Sequence, residues 1–80
     1  MGDKIGFDLD CIGIPDKDDI CDKLKSVLGY KFRSRYVGTG DAEFRVDDRN
    51  YISLGDELII WAFVSGYLHG CGMEYEFRWV

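Results

Sequence analysis

The sequence has no excess of positive charge, and this absence bears first on nucleic-acid binding. It contains 15 Asp and Glu residues against 10 Lys and Arg residues, which gives a net charge of −5. Direct binding to nucleic acid depends on a basic surface that neutralises phosphates. The composition therefore argues against a nucleic-acid-binding protein, and it is compatible with a basic protein partner or with simple solubility.

A secretory signal and an even set of cysteines are also missing. Met1 to Lys4 hold no basic region followed by an apolar run, which a signal peptide requires. The chain has three cysteines, whereas a small secreted domain usually pairs an even number in disulfides. Free thiols suit a reducing compartment, so we expect a cytoplasmic protein.

Motifs for catalysis and cofactor binding are absent as well. The Gly38–Gly40 turn lacks the later glycine and the lysine of a phosphate-binding loop. Cys11, Cys21, His69 and Cys71 are residue types that bind zinc, but their spacing matches no common zinc finger or ribbon. The sequence leaves open whether these four residues come together. We expect no enzyme activity, no metal and no cofactor, since no nucleophile–base pair is evident.

Apolar residues are plentiful, and they indicate a folded domain. The 80-residue chain is 46% hydrophobic and 15% aromatic. That composition is unlike the composition of disordered chains. No linker or repeat divides the chain, so residues 1–80 are predicted to form one domain.

The first third of the chain predicts a strand followed by a helix. Apolar and polar residues alternate from Lys4 to Ile14, which is the pattern of a strand. Asp16 is a predicted helix N-cap, and Gly29 a predicted C-cap. Between them, apolar residues fall on one helical stripe, namely Ile20, Leu24, Val27 and Leu28.

Further alternating segments predict more strands. Tyr30–Val37 and Ala42–Val46 are expected to form a hairpin, and Met73–Trp79 is expected to form the last strand. Tyr51–Leu54, between the hairpin and the last strand, is predicted to add a short strand. Turn residues separate these segments.

The segment Leu58–Met73 contains no Asp, Glu, Lys or Arg. It is shorter than the about 20 residues of a usual membrane span, so we expect no membrane association. We favour a helix from Asp56 to His69, with Ser53 and Asp56 resembling a capping box. A buried strand at Ile59–Val64 is the alternative, because periodicity does not distinguish the two.

The element order βαββαβ predicts a ferredoxin-like, α+β two-layer sandwich with two helices on one face of an antiparallel sheet. The strand order of that fold is 4-1-3-2. The residues expected on the helix-covered face are Ile5, Phe7, Leu9, Phe32, Phe44, Tyr75, Phe77 and Trp79. The open face lacks the aromatics with which RNA-binding domains of this element order stack bases.

In this fold the first and last strands are neighbours, and a patch of four carboxylates is predicted on the open face. Its members are Asp8, Asp10, Glu74 and Glu76. Like charges placed opposite one another destabilise a sheet, which suggests that a partner uses them. Lys31, Arg33 and Arg35 are expected at the other edge, so the face would be polarised and would orient a charged partner. The alternative is a solvated face whose charges prevent edge-to-edge aggregation.

The second helix is predicted to be apolar on more than one side. Trp61, Phe63 and Tyr67 are spread around it, so they do not all face one sheet. Trp61 and Tyr67 are therefore candidate anchors of a protein interface. The alternative is that the chain's own loops, such as Asp48–Leu54, cover this helix.

These features favour a small protein-binding inhibitor or antagonist. In size and charge the chain resembles proteins with which phages and mobile elements block host defence, anti-CRISPR proteins for example, and immunity proteins that block toxins. The expected target is a basic, nucleic-acid-handling protein, with the carboxylate patch standing where phosphates otherwise bind. The alternative is a homo-oligomeric structural or ligand-sensing module, for instance a homodimer that pairs through the second helix.

Overall fold

The computed structural model of the chain describes residues 2–11, 16–38, 40–47, 50–72 and 74–80. Within these residues, four strands and two helices follow one another in the order βαββαβ. They are β1 (Gly6–Asp10), α1 (Lys17–Leu28), β2 (Phe32–Tyr36), β3 (Asp41–Val46), α2 (Leu54–Gly70) and β4 (Glu76–Trp79).

The four strands form one antiparallel sheet with the order β2-β3-β1-β4. This arrangement confirms the predicted ferredoxin-like, two-layer α+β fold and its strand order. Because β1 and β2 are parallel to each other, as are β3 and β4, each helix returns the chain across one face of the sheet. The connectivity makes α1 and α2 antiparallel neighbours.

An aromatic cluster lies in the core, on the face of the sheet that the helices cover. The Phe7 ring stacks on Phe44 and Phe77, with centroids 4.7 and 4.9 Å apart. From the helices, the fully buried residues are Ile20, Leu24, Ile60, Val64 and Leu68. The hydrophobic effect at these side chains is the main driving force that holds the two layers together.

The ends of α1 follow the predicted local chemistry. The Asp16 carboxylate accepts a hydrogen bond of 2.9 Å from the Asp18 backbone N–H, as an N-cap does. Gly29 takes the left-handed conformation at φ 76° and donates its N–H to the Lys25 carbonyl. Both predicted caps are confirmed.

The ambiguous apolar segment is a helix, so the strand alternative for Ile59–Val64 is wrong. Its buried residues Ile60, Val64 and Leu68 are spaced by four and form one stripe toward the sheet. Ser53 is the N-cap residue, but its side chain makes no capping bond to the backbone, so the predicted capping box does not form. Within the described residues, neither helix has the length and apolarity that crossing a bilayer requires.

Several sequence-based boundaries need correction. The first and last strands are shorter than predicted, and the extension of the first strand to Ile14 lies outside the described residues. Tyr51–Leu54 forms no strand but a single bridge, between Ile52 and Lys4. Ile5 is 40% exposed rather than covered, because it precedes β1 at the end of the sheet.

Candidate functional site

The open face of the sheet carries three carboxylates side by side on three adjacent strands. Asp10 of β1 lies directly opposite Asp41 of β3 on one side and Glu76 of β4 on the other. We call Asp10, Asp41 and Glu76 the acidic row. Among the described residues, no ion pair within 4.0 Å engages any of the three.

Within the acidic row, the ionised carboxylates of Asp10 and Asp41 repel each other. Partial burial raises the pKa of Asp41 above its usual 3.8, and the neighbouring Asp10 raises that pKa further. Arg78 acts in the opposite direction but does not cancel the effect. The free protein therefore holds negative charge there at a cost that a bound cationic group would offset.

Two of the four predicted patch residues, Asp8 and Glu74, do not belong to the acidic row. The Asp8 carboxylate accepts a hydrogen bond of 2.8 Å from the Arg45 guanidinium, and its register partner in β4 is Arg78. Glu74 is exposed and precedes β4 rather than lying in the sheet. The predicted patch thus narrows to Asp10 and Glu76, with Asp8 largely neutralised.

Sequence reasoning missed Asp41, the contribution of β3 to the acidic row. The residue follows Gly40 in a stretch with turn chemistry, whereas β3 begins at Asp41. The alternation with Glu43 and Arg45 was a signal that it faces the open side. Its position opposite Asp10 depends on the register between β1 and β3, which the sequence does not encode locally.

The other side of the open face is basic, and its charges are paired. Arg33 and Arg35 of β2 bind Asp47 and Glu43, with N–O distances of 3.1 and 2.6 Å. An open depression of about 400 Å³ lies here, lined by Arg33, Ser34, Arg35, Glu43 and Arg45. The predicted polarity of the face is therefore present in part: its unpaired charge lies at the acidic row, whereas ion pairs neutralise the basic side.

A second candidate surface lies on α2, on the side away from the sheet. We call it the outer face of α2, and its residues are Leu54, Leu58, Trp61, Ala62, Ser65, Gly66 and His69. Leu58 is 70% exposed, Leu54 57% and Trp61 45%. Large apolar side chains that stand together on one helix face indicate a contact surface. The described residues before α2, 50–53, leave these side chains exposed.

The two predicted anchors of this helix are in different places. Trp61 belongs to the outer face and is exposed. Tyr67 is half-buried, and its hydroxyl donates a hydrogen bond of 2.7 Å to Asp19 of α1. This bond raises the pKa of Tyr67 to about 12. Lys23 lowers the pKa of Asp19, and the Tyr67 hydroxyl lowers it further. Tyr67 therefore joins the two helices to each other.

The cysteines and the histidine form no metal centre within the described part of the chain. Cys11 is buried, Cys21 is half-buried, and Cys71 and His69 are exposed. Burial is the main cause that raises the pKa of both the Cys11 and the Cys21 thiol. Raised thiol pKa values disfavour the thiolate that metal binding and nucleophilic attack need.

Comparison with known proteins adds no further assignment. No protein-family model, no curated protein and no solved structure matches the chain. The fold defines the class, a ferredoxin-like α+β domain, and fold alone does not specify a function. The function must be argued from the acidic row and the outer face of α2.

Proposed function

We propose that this chain is a small acidic protein-binding antagonist that docks its acidic row on a basic, nucleic-acid-handling protein. The observation that carries the proposal is the position of Asp10 opposite both Asp41 and Glu76, unpaired among the described residues. Such a row presents negative charge at a spacing that lysine and arginine side chains can meet. Docking of a small acidic protein on a basic target is the behaviour expected of anti-defence proteins of phages and mobile elements, anti-CRISPR-like proteins among them, and of immunity proteins.

The charge layout of the open face supports an oriented complex. The ion pairs of Arg33, Arg35 and Arg45 hold the basic side neutral, while the acidic row remains negative. A basic partner is then attracted to one end of the face and not to the other. Complementary charge of this kind raises the association rate and fixes the orientation of a partner more than it adds affinity.

The test is a capture experiment with two charge-matched variants. Asp10→Lys with Glu76→Lys reverses the middle and one end of the acidic row, and Asp41 at the other end can pair with the new lysine at position 10. Asp3→Lys with Asp22→Lys makes the same change in net charge at exposed positions off the sheet. In a natural-host lysate, the wild type and the control should capture the same basic protein, and the row variant should not. Equal capture by all three would refute the role of the row.

A second candidate function is a homo-oligomeric structural or ligand-sensing module, and the outer face of α2 favours it. Trp61 and Leu58 are exposed on a helix that carries no charged residue from position 58 onward. Trp61→Glu should then reduce the mass in solution without unfolding the chain. A charged residue at Tyr67 is a poorer probe, because Tyr67 bonds Asp19 and holds the helices together.

A further inference from the structure

We infer that two copies of this chain pack the outer faces of their α2 helices together in antiparallel fashion, with Leu58 of each copy inserted between small residues of the other. The inference deepens the second candidate function and rests on it. It makes no use of the acidic row. Failure of the capture experiment and failure of this pairing can therefore be told apart.

Side-chain size falls along the outer face of α2 from its N-terminal half to its C-terminal half. Its N-terminal half carries Leu54, Leu58 and Trp61, which are large and at least 45% exposed. Its C-terminal half carries Ser65 and Gly66, which are small, with His69 at its end. A parallel pair would place large residues against large ones. An antiparallel pair places the large half of each helix against the small half of the other.

Helix geometry makes the fit specific. On one helix, residues at i, i+3, i+4 and i+7 surround a hole that accepts a side chain from a facing helix. In α2 such a hole is formed by Ala62, Ser65, Gly66 and His69. A two-fold axis near Ala62 brings the partner's position 58 opposite position 66. The Leu58 side chain then enters this hole, and the same contact recurs on the other side of the axis.

The structure leaves room for this contact. A Cβ atom added at Gly66 would meet no atom within 4 Å, so the space beside it is open in the single chain. Ala62 at the centre is exposed and small, which allows the two helix backbones to approach closely. The surface is therefore free to receive the partner's leucine without rearrangement.

Charge selects a second copy over a basic partner for this surface. The chain carries a net charge of −5, so two copies repel each other through most of their surfaces. The outer face of α2 offers no carboxylate or ammonium group from Leu58 to Gly72. Two copies can approach here without bringing acids together, whereas a basic protein would find no ion-pair partner.

The size of the contact sets its strength. The outer face spans about 24 Å at 1.5 Å per residue and is about 10 Å wide, which buries roughly 500 Å² over both copies. Stable interfaces bury about 1,200 Å² or more, so the pairing is weak and depends on concentration. We expect a dissociation constant that is micromolar or weaker.

The experiment is charge complementation followed by sedimentation equilibrium over a concentration series up to about 1 mM, a range chosen for micromolar or weaker pairing. The wild type should rise from the mass of one 9.2 kDa chain toward twice that mass. Leu58→Lys alone and Gly66→Glu alone should each weaken pairing by about tenfold or more, because each buries an unpaired charge. The double variant should regain pairing, since the lysine introduced in one copy meets the glutamate introduced in the other only in the antiparallel arrangement.

Controls separate pairing from folding. Val27→Lys, on α1 at a side chain that is 59% exposed, makes the same charge change as Leu58→Lys and should pair like the wild type. The Trp61 indole N–H resonance of the wild type should also shift with concentration, a readout that needs no variant. A wild type that keeps the mass of one chain and an unmoved resonance up to about 1 mM, beyond the micromolar range, would overturn the inference. A double variant as weak as the single variants would overturn the antiparallel arrangement.

Discussion

The Tyr30 hydroxyl donates a hydrogen bond to the Asp56 carboxylate and accepts one from the backbone N–H of Ser53. Tyr30 lies just before β2 and is 1% exposed, and Asp56 lies in the first turn of α2. Tyr30 thereby satisfies one backbone N–H group at the N-terminus of α2, where the Ser53 side chain makes no capping bond. A buried tyrosine far away in sequence thus does what a local cap usually does.

Removal of that hydroxyl should destabilise the fold. Tyr30→Phe leaves the buried ring in place and deletes a bond to a charged acceptor, so we expect a loss of about 1.5–3 kcal/mol in the free energy of unfolding. Urea denaturation followed by circular dichroism measures it. Tyr51→Phe, at a side chain that is 54% exposed, is the control and should change stability by less than about 0.5 kcal/mol. Equal stability of the two variants would contradict this account of the α2 N-terminus.

Two glycines should respond in opposite ways to alanine. A Cβ at Gly6 would collide with the backbone of Phe44 and Arg45 in the neighbouring strand, so Gly6→Ala should cost about 1–3 kcal/mol. At Gly66 the added Cβ meets nothing, and alanine favours a helix interior by about 0.5–1 kcal/mol. Thermal melts of both variants beside the wild type test the pair. A Gly6→Ala variant as stable as the wild type would contradict the close approach of β1 and β3.

The acidic row predicts an unusual titration of Asp41. Partial burial and the adjacent Asp10 raise its pKa above 3.8, so the folded state takes up this proton more readily than the unfolded state does. The ionised form therefore lowers stability, an effect that sets in as pH rises from 3.8 through the folded pKa and persists above it. Asp41→Asn should be more stable than the wild type at neutral pH and equally stable well below the usual pKa.

Carboxyl carbon resonances followed by NMR against pH measure the same effect directly. Asp10→Asn should move the Asp41 pKa part of the way back toward its usual value, because the burial of Asp41 remains. An Asp41 that titrates at its usual pKa in the wild type would show that the two carboxylates are not neighbours.

The Tyr67–Asp19 bond predicts a late tyrosine ionisation. The pKa of Tyr67 is raised to about 12, so the bond stabilises the fold fully below pH 10 and is lost as pH rises toward 12. An ultraviolet titration should show a tyrosine step near pH 12, later than an unperturbed tyrosine ionises. Asp19→Asn should remove that late step while leaving the helices folded. A late step that persists in this variant would assign it to another tyrosine.

Local signals predict the helices well. The cap residues Asp16 and Gly29 act within a few positions of themselves, so their roles can be read from sequence. The inner stripe of α2 could not be read in the same way, because the apolar run Ile59–Val64 fits a buried strand as well as a helix. The ferredoxin-like fold follows from the order of such elements, which makes it predictable without coordinates.

Long-range register is not predictable in the same way. Asp8 is expected from sequence to join a patch, yet it bonds Arg45, a residue 37 positions away. Asp41 belongs to the acidic row only because β1 and β3 pair with Asp10 opposite it. A shift of one residue would have turned these side chains to the other face of the sheet. The open surface beside Gly66 likewise became visible only in three dimensions.

The most direct test of the central claim is the affinity of the captured basic protein for three forms of the chain, measured against salt concentration by calorimetry. The account predicts that Asp10→Lys with Glu76→Lys weakens binding by about tenfold or more and flattens its salt dependence. The charge-matched Asp3→Lys with Asp22→Lys form should bind within about threefold of the wild type, as expected for charges outside the contact. If both variants bind like the wild type at every salt concentration, the acidic row is not the docking surface.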